Sequence, residues 1–223
     1  MNYKRITIFL GHYGSGKTSV ALSYAAHIRE REANVALADM DVVNPYFRSA
    51  DSAAILSQKG IKLIASAYAG SNLDVPAIPA EGLALFHNPG FFSVADVGGD
   101  DRGAAAIGRY SALIQKEPDC DVLLVVNRYR PLSQTAREVA RIREEIEAAA
   151  RIRFTGIVNN SNVGRETTAE HVKKALPFAR EASEKTGLPL IMTTAAEGLD
   201  LSGLIVPGLF RVNFLKNPKL TFE

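Results

Sequence analysis

The chain has 223 residues, of which 47% are hydrophobic, and its formal net charge is only +2. These values predict one domain over residues 1–223 with a large core, and so small a charge gives no indication of a nucleic-acid partner. The single cysteine, Cys120, excludes an intrachain disulfide framework and a paired-cysteine metal site within one subunit. No apolar run reaches the length of a membrane-spanning helix, so we expect a cytoplasmic protein with no membrane anchor.

Short β-branched segments alternate with helical segments along the chain. The helical pattern is clearest over Ser133 to Ile152, where Ser133 is the expected N-cap. This alternation predicts an α/β fold, a doubly wound and mostly parallel β-sheet with helices on both faces. The strands are expected at Arg5 to Leu10, Asn34 to Ala38, Ile61 to Ala65, Phe91 to Ala95, Asp121 to Val126, Phe154 to Val158 and Leu188 to Met192.

A complete phosphate loop follows the first strand. Gly11 to Thr18 reads Gly-His-Tyr-Gly-Ser-Gly-Lys-Thr, which matches GxxxxGK[ST]. Its glycines let main-chain N–H groups approach a triphosphate, Lys17 supplies charge to the β- and γ-phosphates, and the Thr18 hydroxyl can hold Mg²⁺. The sequence therefore predicts a nucleotide-binding protein. The expected nucleotide contacts in this segment are Gly11, Tyr13, Gly14, Ser15, Gly16, Lys17, Thr18 and Ser19.

Acidic residues follow the second and fourth strands, at the sheet edge where parallel α/β folds bind ligands. Asp39 and Asp41 flank one residue, so both side chains are expected to face the phosphates and Mg²⁺. Asp96 fits a second Mg²⁺ contact, and Gly99 is expected to offer its N–H to the γ-phosphate. Loop capping and ordinary solvated charge are the alternative for these acids. The predicted metal ligands are Thr18, Asp39 and Asp96, and the predicted catalytic residues are Lys17, Asp39 and Asp41.

The sixth strand is followed by amide and hydroxyl side chains, from Asn159 to Asn162. Guanine presents N–H groups that need a carboxylate acceptor, whereas an Asn amide accepts from the adenine N6 amino group and donates to N7. The segment therefore favours ATP over GTP, with Asn159 as the base-reading residue. The alternative is that Asn159 and Asn160 are turn formers.

Two further segments allow more than one interpretation. Asn44 to Arg48 places an aromatic pair and an arginine beside the expected γ-phosphate, where the pair either packs the loop onto the core or marks a partner surface controlled by nucleotide state. Leu204 to Phe214 is apolar, but Pro207 and Gly208 interrupt it. That interruption favours a final packed strand or turn over a membrane-tethering helix.

The phosphate loop, Asp39-Met40-Asp41, Asp96-Val97-Gly98-Gly99 and Asn159 together resemble the MinD/ParA/Mrp and CobQ/CobB group of phosphate-loop NTPases, in the SIMIBI class. The resemblance covers nearly the whole chain. It implies a doubly wound sheet, an ATP·Mg²⁺ site and often a homodimer that holds nucleotide between its subunits. It also implies that Asp39 couples the metal to switch movement, that Asp41 orients water and that Asn159 reads adenine.

One position departs from that group. MinD-like members usually carry a signature lysine directly after the first loop glycine, where this chain has His12, and a neutral imidazole cannot replace a permanent cation. Arg48 or Arg102 is a candidate for the missing cation, because each lies just beyond an expected switch acid. Ordinary surface ion pairs are the alternative for both arginines.

Two functions of different class fit these residues. The first is a slow Mg-dependent ATPase whose nucleotide state controls dimerisation or docking of a protein partner. The second is an ATP-dependent enzyme that activates a small-molecule substrate, similar to dethiobiotin synthetase or the CobQ/CobB ligases. The brevity of the chain favours the first, because it has no appended amidotransferase-like domain with a Cys nucleophile.

Overall fold

The computed structural model describes residues 3–41, 50–65, 80–99 and 101–212. The predicted aromatic and arginine segment Asn44 to Arg48 lies outside these ranges. Strands and helices alternate along most of the described chain. They are β1 (Ile6–Leu10), α1 (Lys17–Arg29), β2 (Val35–Met40), α2 (Ala50–Gln58), β3 (Ile61–Ala65), α3 (Ala80–His87), β4 (Phe92–Val97), α4 (Asp101–Gly108), α5 (Ser111–Lys116), β5 (Cys120–Val126), α6 (Ala136–Ala150), β6 (Gly156–Asn159), α7 (Ala169–Thr186), β7 (Leu190–Ala196) and β8 (Leu209–Val212).

The eight strands form one sheet in the order β3-β2-β4-β1-β5-β6-β7-β8, and every pairing between them is parallel. The predicted α/β fold with a doubly wound parallel sheet is therefore confirmed. β1 lies between β4 and β5, so the chain winds outward from it in both directions. The loop after β1 consequently sits at the switch point of the sheet, where such folds bind their ligands.

Both faces of the sheet are buried under helices. Along β1, Ile8 and Leu10 join one apolar cluster, which includes side chains of α4, α6 and α7, while Phe9 joins the other, which includes α1. This alternation follows from the two-residue repeat of a strand. It explains why the strands are continuous apolar runs in the sequence, since neither face needs a polar surface.

The predicted N-cap of the α6 helix was wrong by two residues. The helix begins at Ala136, and its N-cap is Thr135, whose hydroxyl accepts from the Glu138 N–H at 3.3 Å. The Glu138 carboxylate accepts in return from the Thr135 N–H at 2.9 Å, which completes a capping box. Ser133, the expected N-cap, is instead buried and donates from Oγ to the Asn127 carbonyl at 2.7 Å. It therefore belongs to the loop that follows β5.

The C-terminal apolar stretch contributes a strand, as expected for part of it. Leu209–Val212 forms β8 and pairs with β7, and the residues from 213 onward lie outside the description. No helix in the described ranges is both long and apolar enough to cross a membrane.

Candidate nucleotide site

The loop between β1 and α1 has the backbone shape of an anion cradle. Gly14 and Gly16 have φ angles of 77° and 85°, in the left-handed region that favours glycine. Gly11 runs so close to β5 that a Cβ there would lie 2.3 Å from the Val125 carbonyl oxygen. Because α1 begins with a glycine N-cap, no cap side chain covers its first N–H groups. These groups and the helix dipole are available to an anion.

Lys17 closes one side of this loop. It is buried, and its Nζ donates to the His12 carbonyl at 3.3 Å. The segment after β4 lies against the same place, because a Cβ on Gly99 would be 2.7 Å from Lys17 Nζ and 2.7 Å from the Tyr13 amide nitrogen. Gly99 is thus brought to the phosphate loop, and its contact with a γ-phosphate stays a prediction.

Asp39 and Asp96 are directly paired residues of β2 and β4. Asp96 is only 1% exposed, and neither of its carboxylate oxygens has a hydrogen-bond partner of good geometry in the described part of the chain. Burial raises the pKa of Asp96 to about 7, opposed by the nearby Thr18 hydroxyl and Lys17 ammonium and reinforced by Asp39 and Asp41. The Thr18 hydroxyl is near enough to lower this pKa without forming a well-aligned hydrogen bond.

Asp41 lies beyond the end of β2 and leans toward the segment after β4. Its N–H donates to Asp39 Oδ1 at 3.1 Å, and its own Oδ1 lies 3.2 Å from where a Cβ on Gly98 would be. The structure therefore assembles the predicted set of Lys17, Thr18, Asp39, Asp41 and Asp96 around one point. Their individual roles stay predictions.

These residues fit a magnesium ion that arrives with phosphates. Among the described residues no three His, Cys, Asp or Glu side chains form a cluster able to enclose a metal. Mg²⁺ is commonly held by one or two carboxylates plus phosphate oxygens and water, so such a cluster is not required. A buried carboxylate without a partner is costly, and a divalent cation would relieve that cost. Asp96, Thr18 and Asp39 are the residues that would hold it.

Asn160 fixes the phosphate loop from the opposite side. Its Nδ2 donates to the Ser15 carbonyl at 2.7 Å, and its Oδ1 accepts from the Thr194 hydroxyl of β7 at 2.5 Å. A Cβ on Gly16 would lie 2.3 Å from the same Nδ2, so a side chain at Gly16 would collide with this amide. Sequence reasoning missed this positioning role and treated Asn160 as part of the base-reading segment or, alternatively, as a turn former. The run of amides directly after a strand was the only signal.

Asn159, the predicted base-reading residue, is fully buried at the end of β6. Its Oδ1 accepts from Ser161 Oγ at 2.6 Å, whereas its Nδ2 has no partner among the described residues. Adenine reading by Asn159 stays a prediction, with one donor group uncommitted.

Asn127 joins the loops that follow β5 and β6. Its Nδ2 donates to the Asn162 carbonyl at 3.1 Å, and its Oδ1 accepts from the Tyr129 N–H at 3.0 Å. The Arg128 N–H donates to Ser161 Oγ at 3.0 Å. Polar groups after two neighbouring strands therefore support each other.

The predicted cations have different outcomes. His12 turns its Nδ1 to the Tyr13 carbonyl at 3.1 Å, so its ring is engaged with the loop backbone. Arg48 lies outside the described residues, as does the side chain of Arg102. Of the remaining predicted contacts, the Tyr13 ring is exposed, and Ser19 lies in the first turns of α1.

Solved structures with a similar fold are phosphate-loop proteins. FtsY from Mycoplasma mycoides is 19% identical with a TM-score of 0.55, over 92% of this chain and 63% of that chain. FtsY from Thermotoga maritima is 18% identical with a TM-score of 0.52, over 86% of this chain and 62% of that chain. FlhF complexed with GTP/Mg(2+) is 13% identical with a TM-score of 0.53, over 89% and 68% of the two chains.

These likenesses show that the chain has the phosphate-loop NTPase fold. FtsY and FlhF belong to the SIMIBI class that the sequence indicated, but the likeness does not single out the MinD/ParA/Mrp and CobQ/CobB group. The chain spans less than two thirds of the length of these FtsY chains. No family model and no curated protein matches the sequence.

Proposed function

We propose that this protein binds ATP with Mg²⁺ and is a slow Mg-dependent ATPase whose nucleotide state controls dimerisation or docking of a partner. The observation that carries the proposal is the pairing of a phosphate loop that leads into an uncapped helix start with a buried carboxyl group, Asp96, which has no well-aligned hydrogen bond among the described residues. Lys17 and the uncapped start of α1 offer positive charge, and Asp96 lies beside them.

Electrostatics favour nucleotide with a divalent cation over nucleotide alone. Asp39 and Asp41 add negative charge next to Asp96, and this charge would repel a free triphosphate. Mg²⁺ between the carboxylates and the phosphates would turn that repulsion into attraction. Binding is therefore expected to depend on the metal.

The choice of ATP rests on Asn160 and the residues beside it. They line a narrow cleft between the segment after β6 and the last residues of β7 and β8, and none of them is acidic. They are Asn160, Asn162, Gly164, Thr167, Thr194, Ala195, Ala196 and Val212. Amide and hydroxyl groups suit the donor and acceptor pattern of adenine, whereas guanine needs a carboxylate for its N–H groups. FlhF is complexed with GTP, so the two nucleotides have to be compared directly.

The crowding at Gly99 supports a nucleotide-controlled switch. Since Gly99 already abuts Lys17 and the Tyr13 amide, a terminal phosphate entering beside Lys17 would move the segment after β4. Asp41 contacts the same segment at Gly98, so the end of β2 would move with it. Two neighbouring loops would thereby respond to one phosphate group, which is how switch segments signal nucleotide state.

A thermal shift with Mg·ATP against Mg·GTP tests the proposal. At a hundredfold excess over Kd, binding adds about 2.7 kcal/mol, which raises Tm by roughly 5 to 11 °C for a domain of this size. A larger shift with Mg·GTP at equal concentration would overturn the choice of ATP, and no shift with either would overturn nucleotide binding. An ATP turnover rate per protein molecule that rises with protein concentration supports the nucleotide-controlled switch. A turnover rate that requires a small-molecule acceptor supports the substrate-activating enzyme.

A further inference from the structure

The loop after β5 brings an arginine to the phosphate loop. Arg130 Cδ and Nε lie 3.8 and 3.9 Å from the point that a Cβ on Gly14 would occupy. Arg130 is exposed, and within the described ranges no hydrogen bond or ion pair engages its guanidinium. A permanent cation thus lies against the middle of the loop, and no group of the described residues engages its donors.

The backbone of this segment is held in place by several hydrogen bonds. The Arg130 N–H donates to the Asn127 carbonyl at 3.1 Å, and Ser133 Oγ donates to the same carbonyl at 2.7 Å. Between them Leu132 has a φ of 68°, a conformation that is unfavourable for a residue with a Cβ, and it is 48% exposed. Since the Leu132 side chain is half exposed, its burial does not offset the cost of this backbone conformation. The hydrogen bonds of Arg130 and Ser133 therefore hold the turn in place.

The position directly after Gly11 holds no permanent cation, whereas the MinD-like proteins that the sequence resembles carry a lysine there. His12 occupies the signature-lysine position, and its ring faces the loop backbone. Lys17 supplies one charge, while three carboxylates lie on the other side of the loop. A guanidinium stays charged at any physiological pH and presents paired N–H donors that match phosphate oxygens.

On the basis of the proposed nucleotide function, we propose that Arg130 binds the outermost phosphate of the nucleotide held by its own chain. It replaces the signature lysine from within the same subunit. Because the amide cradle and Lys17 hold a diphosphate as well as a triphosphate, an added cation at the outermost phosphate distinguishes the two. This makes Arg130 a specificity residue for nucleotide state.

The chain offers a matched control two residues away. The Arg128 guanidinium donates to the Lys174 carbonyl and lies over the rings of Tyr129 and Phe178, at 5.7 and 5.8 Å from their centroids. Its donors and its charge are therefore committed to α7. An Arg128 variant removes the same charge from the same loop without removing the group beside Gly14.

Calorimetric titration of the full chain with Mg·ATP and Mg·ADP tests this role without measuring turnover. For Arg130→Gln we expect affinity for Mg·ATP to fall by about 10- to 100-fold, the value of a charge-assisted hydrogen bond. Affinity for Mg·ADP should stay within about threefold of the wild-type value, because an exposed charge that does not contact the ligand contributes little to binding. The affinity of Arg130→Lys for Mg·ATP should lie between those of wild type and Arg130→Gln, because lysine keeps the charge but loses the paired N–H donors of the guanidinium. Unliganded Tm should be unchanged, since the side chain is exposed and no hydrogen bond or ion pair engages its guanidinium within the described ranges.

The result expected for the control variant differs from each result that would overturn a proposal. Arg128→Gln should lower Tm and keep the wild-type ratio of ATP to ADP affinity. Arg130→Gln with the wild-type ratio would overturn the assignment while leaving nucleotide binding intact. Wild-type protein that binds neither nucleotide would overturn the proposed function itself, and this inference with it.

Discussion

The two sides of the phosphate loop are built differently. On one side, which we term the acidic edge, Asp39, Asp41 and Asp96 lie at or just beyond the carboxyl ends of β2 and β4, and Asp96 is buried without a well-formed hydrogen bond among the described residues. On the other, which we term the amide edge, Asn127 and the segment Asn159 to Asn162 follow β5 and β6 and are linked by many hydrogen bonds.

The difference indicates which half of the site is more nearly satisfied without a ligand. Apart from Asn159 Nδ2, which has no partner among the described residues, the side-chain amides of the amide edge are hydrogen-bonded, so they position the loop by themselves. The acidic edge keeps an unfavourable buried carboxyl group, which a bound cation would stabilise as its carboxylate. The amide edge is therefore a support, and the acidic edge is the part that responds to ligand.

The largest effect is expected at the acidic edge, from Asp96→Asn. The pKa of Asp96 is about 7 in the folded chain against 3.8 in the unfolded chain, so between these values the folded state keeps a proton that the unfolded state has released. Stability without ligand should therefore decline from about pH 4 to about pH 7, by up to roughly 4 kcal/mol. Above pH 7, Asp96→Asn should be more stable than wild type.

Urea unfolding of both proteins between pH 4 and pH 8 measures this difference. If the free energy of unfolding changed with pH in the same way in both proteins, the raised pKa of Asp96 would be contradicted. The same variant should lose the Mg²⁺ dependence of its ATP-induced thermal shift, because it loses the carboxylate that would hold the ion.

Asn160→Ala tests whether the amide edge is a support. The substitution leaves the Ser15 carbonyl and the Thr194 hydroxyl without their partner, at a cost of about 2 to 4 kcal/mol. Tm should fall by roughly 5 to 15 °C in a calorimetric scan without nucleotide. Since the loop is also released, the ATP-induced shift should shrink. An unchanged Tm would mean that the loop does not depend on this amide.

Lys17→Ala tests nucleotide binding without changing a side chain of either edge. Without the ammonium group the added stability of about 2.7 kcal/mol at a hundredfold excess of Mg·ATP over the wild-type Kd should largely disappear. Lys174→Ala, which removes an exposed lysine of α7, is the charge-matched control and should keep the shift. An intact shift in Lys17→Ala would contradict the position assigned to the triphosphate.

The acidic edge could be predicted from the sequence, and the amide edge only in part. Asp39 and Asp96 stand out because each ends an apolar strand, and parallel strands bring their carboxyl ends together. The bond between Asn160 and Ser15 joins residues far apart in the chain, and it depends on the final positions of β6 and the loop. Arg130 was missed for the same reason, since only the folded turn places it beside Gly14.

The start of α6 was readable in the sequence and was nevertheless missed. Thr135 and Glu138 have the spacing of a capping box, whereas Ser133 has no acidic residue three positions later. The sheet was predictable at a coarser level, because alternating apolar strands and helices with both faces covered allow few other topologies.

The smallest effect is expected away from both edges, from Thr135→Ala. Loss of the N-cap hydroxyl should cost about 1 kcal/mol, which lowers Tm by roughly 2 to 4 °C. The ATP-induced shift and the pH dependence should match wild type, because Thr135 contacts neither the loop nor Asp96 among its hydrogen bonds. This variant decides how Asn160→Ala is interpreted. If a general loss of stability already reduced the ATP shift, the reduction in Asn160→Ala would say nothing about support of the loop. An unaltered shift in Thr135→Ala ties that reduction to the amide edge.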